Sequence, residues 1–65
     1  MNLVERYLKA AGNVFRELDK PGTALHNEFW NSGAPVSPYA MTEFFGHAIG
    51  REAQRLKDAP NPAVN

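Results

Sequence analysis

The stretch Leu3–Asp19, "LVERYLKAAGNVFRELD", decides how this chain folds. Leu3, Val4, Tyr7, Leu8, Ala11, Val14, Phe15 and Leu18 recur at intervals of three and four, the spacing that stacks side chains on one face of an α-helix. Glu5, Arg6, Lys9, Asn13, Arg16 and Glu17 fall on the opposite face. The spacing predicts a helix over about 3–19, with Asn2 as its cap and Glu5 three residues later in a capping-box arrangement. Pro21-Gly22 ends it, because proline lacks the N–H that a further turn needs.

Two more helices are expected by the same logic. Thr23 is placed to cap a short helix over about 24–31, with Leu25 and Phe29 stacked one turn apart. Ser32-Gly33 lets the chain leave that helix, and "GAPVSP", residues 33–38, reads as a loop because each proline holds the residue before it extended. Ser37 then caps a second long helix over about 38–57, with Pro38 at the first helical position, where a missing N–H costs nothing. Val36 and Met41 have the spacing of a hydrophobic staple around that cap. Arg51, Arg55 and Lys57 lie near the end where the helix dipole favours cations. Pro60 and Pro62 stop the helix, so residues 59–65 are expected to form a flexible, disordered tail. The fold class expected is all-α: a single helical domain over 1–58, two long helices packed antiparallel with the short one between them.

Composition narrows the function. With 65 residues the chain has a marginal core of its own, since so short a chain buries only about 60% of the surface it exposes when unfolded. Domains of this size need a staple, and there is no cysteine to supply a disulfide. With two histidines and no thiolate a structural zinc site is not expected, and no cofactor is implied. Seven basic side chains balance seven acidic ones, so attraction to phosphate backbones or acidic lipid is weak and nucleic acid is a disfavoured partner. Glu5 and Arg6 interrupt what would be the apolar core of a signal peptide, no segment has the length and apolarity of a membrane span, and the cysteine-free chain suits the cytoplasm. What remains is a protein partner or a second copy.

The third helix carries the sequence's main candidate for that contact. Met41, Phe44, Phe45, Ala48, Ile49 and Leu56 form its large apolar stripe, while Thr42, Gly46, Gly50 and Ala53 form a neighbouring strip of small residues four apart, where another backbone can come close. The strip either receives the short helix of the same chain, or faces a partner, or contains two glycines that the helix simply tolerates. Trp30 and Tyr39 flank the Gly-Pro loop with Phe29, either as a lid on the small core or as anchors of the kind that dominate interfaces. Glu52 projects into the apolar stripe and needs a partner if buried, with Arg6, Arg16, His26, the Trp30 indole or another subunit as candidates; otherwise the stripe runs out into solvent there. His47 lies off the stripe and His26 near a helix start, both without a second ligand at metal spacing. Arg51 and Arg55, one turn apart, form either an anion grip or a solvated helix end.

No phosphate loop, HExxH, paired-cysteine or nucleophile-elbow pattern occurs, and the carboxylates show no acid–base spacing, so catalysis is not expected. The residues favoured at a protein contact are Trp30, Tyr39, Thr42, Gly46, Gly50 and Ala53. The expected function is that of a non-catalytic protein-binding module, an accessory subunit or regulator that completes its core by dimerising or by docking on a larger protein. The alternative is a small helix-turn-helix-like DNA-binding regulator, although the exposed start of its recognition helix would offer Tyr39, Ala40 and Glu43 rather than basic residues, and its connecting loop is long for the motif. An amphipathic membrane anchor built on the first helix ranks below both, because its polar face mixes charges of either sign.

Overall fold

The computed structural model describes residues 1–58, which form an all-α domain; the expected tail over 59–65 lies outside the described residues. Three helices come in order: α1 (Leu3–Leu18), α2 (Ala24–Asn31) and α3 (Pro38–Asp58), with a single turn of 3-10 helix at Ala34–Val36 between the last two.

Each expected cap forms. Asn2 Oδ1 accepts from the Glu5 N–H at 2.8 Å, and its Nδ2 donates to Glu5 Oε1 at 3.4 Å, so one of the four orphan donors of the helix start is satisfied. Ser37 Oγ accepts from the Ala40 N–H at 3.3 Å, with Pro38 beside it as the first helical residue. Thr23 Oγ accepts from the His26 N–H at 3.1 Å and lies 2.9 Å and 3.1 Å from the Glu17 and Lys20 carbonyls, to which its hydroxyl hydrogen can donate. The His26 ring also reaches back, with Nδ1 2.8 Å from the Leu18 carbonyl. A carbonyl only accepts, so Nδ1 carries the proton in this contact. The start of α2 thereby ties down the open carbonyl end of α1.

The turn between these helices depends on one residue. Gly22 has φ +93°, a region that side chains beyond glycine rarely adopt. The staple expected around Ser37 does not form: Val36 is 87% exposed and packs on nothing that would hide it.

α1 and α3 run antiparallel. Asn13 meets Glu52 and Phe15 meets Phe45, so position rises along one helix as it falls along the other. The core between them and α2 is built around Val14, Leu25 and Ala48, with Leu18, Phe44, Phe45 and Ile49 packed against it. Phe45 lies 5.1 Å from Phe15 of α1 and 5.7 Å from Phe29 of α2, ring centre to ring centre, and Phe44 lies 5.3 Å from Phe29 edge-on. One aromatic cluster thus joins all three helices at separations typical of favourable ring pairs.

The interior is nevertheless lean. Among the described residues the buried apolar side chains are Ala10, Val14, Leu25, Phe29, Ala34, Ala48 and Ala53, of which four are alanine. The expected apolar face of α1 is only partly used: Leu3, Val4, Tyr7, Leu8 and Phe15 are exposed, and the most enclosed residue of the helix is Ala10. On a helical wheel the buried edge, running from Asn13 and Arg6 through Ala10 to Val14, lies about 90–100° from the centre of the apolar face. The expectation that Arg6 and Asn13 sit on the solvent side is corrected accordingly. Both are half-buried, and Arg6 Nε is enclosed with no hydrogen-bond partner.

Replacing Gly22 by alanine should lower stability by about 1 kcal/mol or more, because a Cβ penalises positive φ. Urea unfolding followed by circular dichroism measures the loss; an unchanged midpoint would refute the role assigned to this turn.

Candidate functional site

The structure divides the residues expected at a contact into two groups. Trp30 and Tyr39 are 60% and 87% exposed, so neither closes the core as a lid; that part falls to Phe29, which is buried. Trp30 stands edge-on to Phe29 at 5.2 Å and near the His26 ring at 6.1 Å, which leaves most of the indole free. Thr42 is exposed and donates its hydroxyl to the Pro38 carbonyl at 2.9 Å. Gly46 is exposed and Gly50 half-buried, and a Cβ built on either would meet nothing within 4 Å. The short helix therefore does not fill the glycine strip. Ala53 is withdrawn from the surface set: it is 2% exposed and belongs to the interior. The physical reason is the rotation of α1, which sets its small edge at Ala10 toward the same end of α3.

A larger surface lies where the sequence pattern places core. Leu3, Val4, Tyr7 and Leu8 of α1, with Ile49 of α3, line one shallow apolar groove. Leu3, Val4 and Leu8 are each more than 60% exposed, and Tyr7 is 45% exposed. The signal for this surface is present in the sequence as the apolar stripe of α1; the sequence does not say that the stripe is left uncovered. Exposed apolar patches of more than a few hundred Å² are uncommon on monomeric proteins and mark interaction sites.

A second surface of the α1–α3 pair is rimmed by charge. A cleft of about 260 Å³ is floored by Val14, Leu25 and Ala48 and rimmed by Glu17, Glu28, Arg51, Glu52 and Arg55. Glu52 is the organising group, and its partners are not those expected. Arg55 donates Nε to Oε1 at 2.7 Å and Nη2 to Oε2 at 2.8 Å, a two-pronged pair, while Asn13 Nδ2 donates to Oε2 at 2.8 Å from across the helix interface. Arg6, Arg16, His26 and Trp30 take no part. Asn13 can do so because α1 turns its nominally polar edge toward α3. The Arg55 hydrogen bonds hold the Glu52 carboxyl below its ordinary range; partial burial opposes them, and the Asn13 bond adds to them. Arg55 is thus occupied, which leaves the expected pair of anion-gripping arginines one short.

His47 is exposed, as its place off the stripe implied. Among the described residues no group of three or more His, Cys, Asp or Glu side chains is placed to hold a metal ion, and no helix is long and apolar enough to cross a membrane. The fold and surface together define a small three-helix domain with one apolar and one charged side. No family model matches the chain, and neither the curated proteins nor the solved structures include a significant match.

Two measurements test this geometry. Glu52 is held ionised more strongly in the folded chain than in the unfolded one, so its contribution is complete above the unfolded glutamate pKa of about 4.3 and disappears as pH falls through the lower folded value. Stability followed from pH 7 to pH 2 should fall over that acid window, and Glu52→Gln should flatten this part of the profile; an unaltered profile would show that the carboxylate contributes nothing. Gly46→Ala should raise the stability of the isolated chain by about 0.5–1 kcal/mol, since the added Cβ meets only open space and alanine is the better helix former. A lower melting temperature for this variant would show that the strip is packed after all.

Proposed function

We propose that this chain is a non-catalytic protein-binding module, an accessory subunit or regulator working in the cytoplasm, that completes its apolar core against another protein surface. One observation carries the reading. Among the described residues four of the seven buried apolar side chains are alanine, while Met1, Leu3, Val4, Tyr7, Leu8, Phe15, Trp30, Val36 and Tyr39 stand exposed. Large side chains outside and small ones inside is the reverse of what a self-sufficient core requires.

The neutral charge balance supports a protein surface over nucleic acid. So does the connection between α2 and α3, residues 32–37, which is longer than the three or four residues of a helix-turn-helix and contains a 3-10 turn of its own. The first turns of α3 present Tyr39, Thr42 and Glu43 to solvent and no arginine or lysine. Two separate surfaces are available for the contact: Trp30 and Tyr39 with Thr42, Gly46 and Gly50 of α3, or the exposed face of α1.

The test is the solution mass of the purified chain by light scattering over a hundredfold range of concentration, with thermal melting by circular dichroism on the same samples. The expected result is either a stable oligomer or a monomer that melts broadly, without a cooperative transition. A monomer that melts steeply at every concentration would show a complete core and overturn the reading.

A further inference from the structure

We infer that the protein surface completing this core is a second copy of the same chain, joined through α1 packed antiparallel against its symmetry mate. The inference rests on the binding-module reading and names its partner.

Spacing is the first reason. Met1, Val4, Leu8, Ala11, Phe15 and Leu18 succeed one another at intervals of three, four, three, four and three, the a/d repeat of a coiled-coil seam. The N-terminal part of this repeat is turned away from the core, whereas Leu18 packs against it and Met1 precedes the helix. Val4 and Leu8 are 66% and 69% exposed and Phe15 is 47% exposed, although they share a helix with fully enclosed Ala10. A helix that belonged only to a monomer would have turned this seam inward.

Self-complementarity is the second. In a two-fold antiparallel pair, one register sets Val4 against Phe15 and Leu8 against Ala11 of the second copy, and every pairing is repeated by symmetry. Leu8 then lies over the smallest seam residue, so the bulky side chains interleave rather than collide. The same arrangement brings Glu5 alongside Arg16 of the second copy on the flank of the seam. Both residues are exposed in the single chain, and symmetry makes two such pairs of opposite charge.

Area is the third. The large side chains of this face, each about half to two thirds exposed, present on the order of 600 Å² when a large apolar side chain offers roughly 150–250 Å². One partner's share of a standard protein interface is about 800 Å², so the face needs little more than the adjoining Ile49 and the flanking charges to reach it. The product is a four-helix core of two α1 and two α3 helices.

The experiment compares the solution mass of the wild-type chain with that of Leu8→Glu and Gly46→Leu variants by light scattering at matched concentrations, with helicity recorded for each. The expected result is a wild-type dimer that Gly46→Leu preserves and Leu8→Glu abolishes. Because the released monomer can lose structure, Glu5→Arg and Arg16→Glu are measured alone and together. Each single change should raise the dimer dissociation constant about 3–10-fold, and the double change should return it toward the wild-type value. An assembly that survives Leu8→Glu but is lost in Gly46→Leu overturns the α1 seam while leaving the binding-module reading intact. A broadly melting monomer does the same. A steeply melting monomer overturns both, and retention of such a monomer on vesicles containing anionic lipid, abolished by Leu8→Glu, would assign the face to a membrane surface instead.

Discussion

The enclosed positions of α1 and α3 are held largely by alanine. Ala10 on one helix and Ala48 and Ala53 on the other are almost completely enclosed, whereas Leu3, Val4 and Leu8 of α1 stand exposed. Sites enclosed around alanine leave no room for leucine or phenylalanine. The large residues of α1 are therefore pushed to the side of the pair. Three features of the molecule are consequences of this constraint: the half-buried polar edge of α1, the exposed groove at Leu3, Val4, Tyr7 and Leu8, and the shortage of bulk in the core.

Two sets of contacts keep this arrangement in register. On the polar side, Asn13 spans the helix pair to Glu52, which Arg55 holds in a fixed orientation from one turn away. Because charge-assisted hydrogen bonds are directional, they resist sliding of one helix along the other in a way that alanine contacts do not. On the other side Phe45 joins Phe15 and Phe29, which adds α2 to the pair. The two ends of α2 are also secured, by Thr23 and His26 against the end of α1 and by the 3-10 turn carrying buried Ala34 against the start of α3. Glycine at position 22 allows the first of these connections to be so short. The result is a framework that is well specified along its length although it encloses little apolar volume.

The same framework gives the molecule two unlike sides. One is rimmed by three glutamates and two arginines, of which Glu52 and Arg55 are paired; the other is apolar and faces outward. Surfaces of the first kind remain in water at little cost, whereas burial of the second is favourable at about 25 cal/mol per Å². Covering the apolar side, rather than the charged one, would therefore add stability to a domain without disulfides.

Local structure was legible from the sequence because local rules decide it. Asn2, Thr23 and Ser37 cap helices through their own side-chain oxygens, Pro21-Gly22 and Pro38 act through backbone geometry, and the three-and-four periodicity marks the helices whatever they pack against. The antiparallel pairing was legible too, since a short intervening helix returns the chain on itself. The rotation of α1 about its own axis was not. Apolar periodicity reports which face a helix prefers to bury, summed over everything it meets, and not which face a single partner helix covers. Only the tertiary structure shows that α3 takes the small edge at Ala10 and Val14, that Asn13 rather than an arginine of α1 answers Glu52 across the interface, that Ala53 is interior, and that the seam from Val4 to Phe15 is left open. The reason is that these outcomes depend on the size and placement of residues distant in the chain, which no local pattern contains.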